Sequence, residues 1–565
     1  MYQKTRVPSV LLTPLTGLGR QHARLLNQAG VSARALSGSS SAADRVELRQ
    51  LLQDRQLQAL VGSPEALCHS ASLLRALNER QGGITAFDEA HLWADAADWR
   101  ATLSLAATRL QGRRRLALTG SLRTGKEAQL ADILGMTSPI VGRGIFVRTN
   151  LILRIMPRPP AFCPPFFNLR AQIAADEEWC WRVAYVTCWI VDARRKDGNV
   201  IIYARSQQIV EQLVSALKES VQRRVARVGG ALPSVYAYHA GYNTRAAVER
   251  AFAQLPGVVV VSTVAFGLGI HCAHVRTVVH FDGARSLSEY VQQIGRAGRD
   301  GEEALCISFF NEADNLQVRR LIEGSVIPMD AAWDIINRVV ESSSPGGRTS
   351  FLRRAELSEF DIHPRQTDVV LALLCRVGVA LAGKPAPDRF CVSLGTTSGD
   401  AGVVQGLSVP ARALWLQHLC PLFEEPRTPR RKVFGDVRVI CRSAPFLGLD
   451  AVGPVAVHVA LQNLTSAGLV VVDNTERFPS VIPLTRMGDC DVGRAATRAA
   501  RISRDDVTNK LATLDAADMF FNREGCVQMR LCALFGSPGE QGLALDDFQC
   551  SHCLSDEALL RGPRP

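Results

Sequence analysis

Short apolar runs alternate with amphipathic stretches along the first 120 residues. VLLT (10–13), ALVG (59–62), ITAFDEAH (84–91) and LALTG (116–120) read as strands, and their Val, Leu and Ile content suits strands buried on both faces. Between them, Gly19–Ala29 and Ser70–Arg80 read as helices that form a covering layer. The pattern predicts a parallel sheet covered by helices. It resumes after Asn199, where NVIIYA, VYAYHA, VVVVST, TVVHFD and ALCISFF predict a second lobe of the same kind. Five prolines within residues 156–165 mark an irregular connection between the two.

Beyond Phe310 the alternation stops, and SSSPGGRTS (342–350) has the breaker composition of a domain boundary. Residues 455–485 then present a helix, a Gly stop and two strands around a polar turn. That order suits a winged helix, a unit used in other proteins either against a duplex or for protein contacts. RTPRRK (427–432) reads as a phosphate-attracting loop or as a simple surface charge cluster. The expected organisation is α/β, with lobes at 1–155 and 199–341, a connection at 156–198, a mixed α/β region at 351–500, and a cysteine-bearing end at 501–565.

Composition narrows the partners. A chain of 565 residues, 47% apolar and 21% charged, holds several globular domains with sizeable cores. The net charge of +11 and pI near 9.1 point to a polyanion, either nucleic acid or an anionic membrane surface. No apolar run is long enough to span a bilayer and no signal peptide is present, so the chain reads as intracellular, in cytoplasm or nucleus/nucleoid, with no membrane partner. Its 15 cysteines are mostly scattered singly, as reduced core thiols would be, and only the C-terminal group has metal-ligand spacing.

Two clusters carry candidate chemistry. From Val258 to Gly301 a buried strand, a Gly-rich turn (Gly267, Gly269), a second strand and a short helix lead into QQIGRAGRDG. That order brings Gln292, Arg296 and Arg299 to one sheet edge. A guanidinium fork matches phosphate oxygens and stays charged at any working pH, so the two arginines read as phosphate clamps. Asp88 and Glu89 follow the strand ITAF at its carboxyl end, where open α/β sheets bind ligands, and such a pair suits the hard, oxygen-seeking Mg²⁺. GSLRTGKE (120–127) matches GxxxxGK but has Glu127 where a hydroxyl would bind Mg²⁺, and it reads as a chance match.

TVAFGLGI followed by QQIGRAGRDG resembles the RecQ-like DNA helicases of superfamily 2. DEAH (88–91), LALTGS (116–121), VIIYARS (200–206) and YHAGY (238–242) resemble further family motifs in the family's order. The resemblance covers roughly residues 7–310 and returns from about 505 to 556. It implies two RecA-like lobes that close on ATP, with Asp88 holding hydrated Mg²⁺, Glu89 polarising the attacking water and His91 coupling the site to the opposite lobe. Gln292, Arg296 and Arg299 complete the catalytic set, and Gly267 and Gly269 join Asp88 and the arginines around the nucleotide. DNA contacts are implied for Thr13 and Pro14 in TPLTGLGRQHARLL, for Tyr238 and His239, and for Ser262 and Thr263. Trp93, Trp99 and Arg100 keep the chemistry of base stacking and phosphate contact, with core tryptophans as the alternative. REGCVQMRLCALFGS (523–537) and FQCSHCLSD (548–556) resemble the family's zinc subdomain, which makes Cys526, Cys550 and Cys553 zinc ligands. The fourth family position falls on Asp547, with His552 and Cys532 as alternatives. The implied activity is ATP-dependent, 3′ to 5′ translocation on single-stranded DNA with duplex unwinding, using ATP, Mg²⁺ and Zn²⁺. Implied partners are single-stranded and junction DNA, and proteins of repair or defence.

The sequence also departs from the family. No glutamine-bearing adenine segment and no GxxxxGK[ST] precede Val10, and the expectation is a start internal to a longer reading frame. A separate polypeptide could supply the piece, and the competing reading is a catalytically incomplete nucleic-acid-binding remnant or scaffold subunit. His271 stands where the family has an acidic residue, and the loop 92–100 is shorter than the family's.

Overall fold

The computed structural model describes residues 7–14, 16–37, 40, 42–68, 70–79, 82–95, 102–144, 146–156, 177–191, 198–239, 241, 244–266, 272, 274–310, 312–341, 349–363, 366–382, 386–394, 401–423, 433–441, 453–472, 480–487, 489–536, 550 and 553. They divide into two compact units, one built from 1–95, 103–323 and 509–565, the other centred on 324–508.

In the first unit the apolar runs become two parallel sheets. Strands β1 (Ser9–Leu12), β2 (Ala33–Leu36), β3 (Ala59–Gly62), β4 (Ile84–Phe87) and β5 (Arg114–Ala117) lie in the order β2-β3-β1-β4-β5. The interior strand β3 is buried at all four positions, as a strand covered on both faces must be. Edge strand β5 is different. It pairs with β4 alone among the described residues, and Leu116 and Leu118 are 47% and 48% exposed.

The second sheet contains β6 (Leu151–Met156), β7 (Asn199–Tyr203), β8 (Val235–Tyr238), β9 (Val259–Ser262), β10 (Val275–His280) and β11 (Ala304–Phe309), in the order β6-β11-β10-β7-β9-β8. Here the expected boundary at 155 shifts. LILRIM pairs in parallel with β11 from Leu151 to Met156 and so belongs to the second lobe. The connection is partly structure as well, because helix Glu177–Val191 packs on this sheet. Trp181 sits edge-on to Phe309 at 5.3 Å and Trp179 edge-on to Phe281 at 4.8 Å. The buried Arg182 donates to the Phe281 carbonyl at 2.6 Å, which offsets part of the cost of burying its charge.

The C-terminal residues return to this lobe. Helix Val492–Asn522 meets helix Glu312–Glu323 through Asn315–Asp518 and Arg319–Asp515, and its Phe520 and Phe521 join Tyr290 and Phe310 in the core.

The elements of the second unit follow a different order from the one the sequence pattern suggests. Helix Met329–Glu341, β12 (Thr349–Arg353), the 3₁₀ turn Arg354–Phe360, helix Thr367–Arg376, β13 (Ala380–Ala382) and β18 (Ser480–Arg486) follow in that order, and antiparallel β18 lies between β12 and β13. Between β14 (Ala386–Pro387) and β18 comes a separate three-stranded sheet of β15 (Arg389–Leu394), β16 (Val433–Asp436) and β17 (Val470–Val472). The strands around the polar turn near 475 therefore belong to different sheets, β17 to one and β18 to the other, and do not form a hairpin. RTPRRK lies outside the described residues. No helix among the described residues is long and apolar enough to cross a membrane.

Phe309 is fully buried among Trp181, Tyr185 and Phe281. Phe309→Ala is expected to destabilise the second lobe by about 3–5 kcal/mol, read as a lower urea midpoint by tryptophan fluorescence; a loss under about 1 kcal/mol would contradict this packing.

Candidate nucleotide and nucleic-acid site

Strand β4 delivers its carboxylates at the carboxyl edge of the first sheet. The Asp88 amide donates to the Leu12 carbonyl at 2.9 Å, continuing the ladder with β1, and Ala90 N–H donates to Leu118 O at 2.9 Å. Glu89 between them has φ +49°, a left-handed conformation costly for a residue with a side chain, and its amide donates to Asp88 Oδ1 at 3.0 Å. His22 Nε2 lies 3.3 Å from Asp88 Oδ2. His91 is 3% exposed, with Nδ1 2.9 Å from Thr119 Oγ1 and 3.6 Å from Glu89 Oε2. Burial pushes its pKa down to about 4, so the imidazole is neutral at physiological pH.

The second lobe supplies the opposing charge. Burial, and then the neighbouring Asp88, raise the Glu89 pKa above the usual carboxylate range, while Arg296, Gln292 and Arg299 pull against that rise. The three residues of the Q-x-x-x-R-x-x-R run thus face Glu89 across the two lobes. They stand on helix Leu287–Ile294, whose N-terminus is capped by Ser286 Oγ accepting the Glu289 amide at 3.1 Å, and on the turn after it. Arg296 is buried and Arg299 exposed. Gly298 has φ +54°, and a Cβ there would lie 2.5 Å from Asn150 Nδ2 and 2.7 Å from the Glu302 carbonyl, so only glycine fits.

Two residues that sequence reasoning missed hold this turn. Arg148 Nη2 donates to the carbonyls of Ala297 (3.1 Å) and Gly298 (2.6 Å), and Asn150 Nδ2 donates to those of Gly298 and Glu302, both at 2.8 Å. Their only signal in sequence is position, just ahead of the apolar run that becomes β6.

Among the described residues, the expected DNA contacts at strand ends are buried, apart from the half-buried Thr263. Thr13 follows β1 at 1% exposure, with Pro14 buried beside it. Ser262 ends β9 fully buried and donates to the Thr263 carbonyl at 2.6 Å. Tyr238 donates to Glu249 Oε1 at 2.6 Å, and His239 Nε2 lies 2.7 Å from Glu211 Oε1. Trp93 is a correction. It is fully buried, edge-on to Phe87 at 5.5 Å, and so serves the core of the first lobe rather than a base-stacking loop. Trp99, Arg100, Gly267, Gly269 and His271 lie outside the described residues. In the GxxxxGK stretch, Lys126 Nζ donates to Gln129 Oε1 at 2.9 Å on its own helix, and Thr124 N–H donates to Leu534 O at 2.8 Å.

Cys526, Cys550 and Cys553 converge, their sulfurs all within 4.8 Å of one another. The separations are 3.8 Å for Cys526–Cys550 and 3.5 Å for Cys550–Cys553. Thiolates around a tetrahedral zinc at ~2.3 Å would stand roughly 3.8 Å apart, so the three sulfurs fit that ion. The Val527 amide donates to Cys550 Sγ at 3.4 Å, and burial with the adjacent sulfurs pushes Cys553 up to about 12 in the absence of a cation. Cys532 is buried on helix Val527–Phe535, which follows Cys526, but outside this group; Asp547 and His552 lie outside the described residues.

Comparison with known proteins matches residues 182–301 to the helicase conserved C-terminal domain. The chain is 28% identical over 323 residues to an ATP-dependent DNA helicase RecQ of Pasteurella multocida, covering 56% of this chain and 45% of that protein. It is 26% identical to the ATP-dependent DNA helicase Q-like 4B of Arabidopsis thaliana (56% and 26% covered) and 26% identical to the RecQ-like DNA helicase BLM of Xenopus laevis (56% and 22%). The chain spans about half, or less, of the length of these relatives. Two parallel-sheet lobes, the matched C-terminal domain and these relatives together support a RecQ-like helicase of superfamily 2.

Proposed function

We propose that the chain forms the motor of an ATP-dependent DNA helicase that moves 3′ to 5′ along single-stranded DNA and separates duplex ahead of it. The observation that carries this reading is Glu89 facing Gln292, Arg296 and Arg299 across the two lobes. In this reading Asp88 holds the hydrated Mg²⁺ of ATP, and Glu89 accepts a proton from the attacking water. Arg296 and Arg299 meet charge developing on the transferred phosphoryl group, and His91, neutral and bonded to Thr119, relays lobe closure. Thr13, Tyr238, His239, Ser262 and Thr263 border the DNA track, which they can reach only when their strand ends shift on closure. The motor serves DNA repair or defence, in cytoplasm or nucleus/nucleoid.

The grip on the β- and γ-phosphates comes, in this proposal, from a further segment on the open edge of β5. A cleft of about 890 Å³ runs along that edge from Arg113 to Gly120, past the half-exposed Leu116 and Leu118. Its lining includes Thr119, the hydroxyl that touches His91. A parallel strand added there would place its following loop beside Asp88 and Glu89, as in open α/β sheets generally.

A protein in which that phosphate loop is present should lose DNA-stimulated ATP hydrolysis by roughly 10³-fold with Arg299→Ala while DNA binding holds. Unchanged turnover would remove Arg299 from the site. Residues 1–565 alone should bind single-stranded DNA at low salt with little turnover. Robust hydrolysis abolished by both Glu89→Gln and Lys126→Ala would overturn the open-edge reading and put Lys126 in the site.

The raised Glu89 pKa has a definite sign. The base form is lost as pH falls through a value above the ordinary ~4.3, so the acid limb of hydrolysis should lie higher than that. An acid limb at or below the ordinary value would remove Glu89 as the base.

Cys526, Cys550 and Cys553 are proposed to hold Zn²⁺, with Asp547 as fourth ligand. The ion would close a chain end too small to bury its own core. Purified protein should carry about one equivalent of zinc by elemental analysis, and Cys550→Ser should lose most of it and melt earlier. Metal content unchanged in Cys550→Ser would reject the assignment.

A further inference from the structure

Helix Val492–Asn522 carries, within the second unit, a charge pattern that the nucleotide site does not use. Its inner face there is small and fixed. Ala495, Ala496 and Ala499 are buried, Ser503 Oγ accepts the Ile327 amide at 2.8 Å, and Asp506 is bonded to Arg376. These contacts set the rotation of the helix about its axis. The opposite face presents Arg498, Arg501 and Arg504, all exposed. Among the described residues none of the three guanidiniums has an ion-pair or hydrogen-bond partner. Arg494, one turn earlier, is exposed as well and pairs with Asp491 at 3.5 Å.

An ordinary solvated helix face interleaves acids at i±4, and this one does so only at Asp505. The positions four away from Arg498 are Arg494 and Ile502, and those four away from Arg504 are Ala500 and Thr508. Asp505, the one acid in the row, follows Arg501 in the less favourable order for a helix pair. Like charges one turn apart cost helix stability, so the row is an expense that a bound polyanion would offset. At ~1.5 Å per residue the row from Arg498 to Arg504 runs about 9 Å, comparable with two to three base-pair steps of duplex.

We propose that the Arg498, Arg501 and Arg504 face is a DNA-backbone contact, independent of base sequence and distinct from the nucleotide site. An anionic membrane is the poorer fit. A helix lying on a bilayer needs an apolar face beside its basic one, and here the apolar face is buried in the unit while the exposed neighbours are Thr497, Thr508 and Asn509.

The test measures binding of the full chain, without nucleotide, to a fluorescent duplex bearing a single-stranded tail over a range of salt concentrations. Because no nucleotide is present, the outcome is independent of the ATP-site reading. The triple variant Arg498→Gln, Arg501→Gln, Arg504→Gln should weaken low-salt binding about tenfold or more and flatten the log K against log salt slope by roughly 2–3, while Arg→Lys at all three keeps most of both. Unchanged affinity and slope in the Gln variant, with its circular dichroism melt intact, would overturn the proposal. So would loss of binding to phosphatidylserine vesicles with DNA binding untouched.

Discussion

The turn after helix Leu287–Ile294 is held by charge-assisted donation from Arg148 and by the amide of Asn150 to backbone carbonyls, and the facing of the two lobes depends on it. Those carbonyls belong to a sharp glycine turn that no regular ladder satisfies, and leaving a buried acceptor unpaired costs about 1–3 kcal/mol. With the donors in place, the turn holds Arg296 and Arg299 at one edge of a rigid sheet. The close approach of Asn150 also explains the second glycine of the run, since any Cβ at 298 would collide with it. Geometry at the site is thus inherited from the segment just ahead of β6, which contributes no reacting group.

The opposite side of the site is electrostatically unsettled in a useful way. Burial and Asp88 push Glu89 toward its neutral form, and the arginines of the other lobe push it back. The basicity of a carboxylate balanced in this manner depends on how near the arginines stand. The left-handed backbone at Glu89 adds local strain at the same residue.

Much of this was legible in the sequence because parallel strands buried on both faces are nearly continuous apolar runs. VLLT, ALVG and the five runs of the second lobe are strands where their pattern places them. Two strands were not. ARAL (33–36) is short and carries an arginine, and LILRIM was assigned to the wrong lobe because a strand pattern says nothing about which sheet it joins. The charged residues of the site could be picked out from spacing, whereas Arg148 and Asn150 could not, since their partners lie about 150 residues away and are backbone atoms. Trp93 shows the converse limit. An aromatic next to a motif can stack on a base or fill a core with the same composition, and only burial decides. The sheet of the second unit was hidden because its strands β13 and β18 are separated in sequence by a whole intervening sheet.

That interruption has a counterpart in the first unit, part of which, beginning with the helix end bearing Asp515, Asp518, Phe520 and Phe521, lies beyond the second unit in the chain. During synthesis the second lobe must wait with the partner faces of Tyr290 and Phe310 uncovered until some 190 further residues have emerged, a count that follows from the unit boundaries at Glu323 and Asn509. The equilibrium cost of closing so long a loop is modest, because closure entropy grows only with the logarithm of length. The delay is another matter. At ribosomal speeds of ~5–20 residues per second it lasts on the order of 10 s or more, during which aromatic surface is open to chaperones or to other nascent chains.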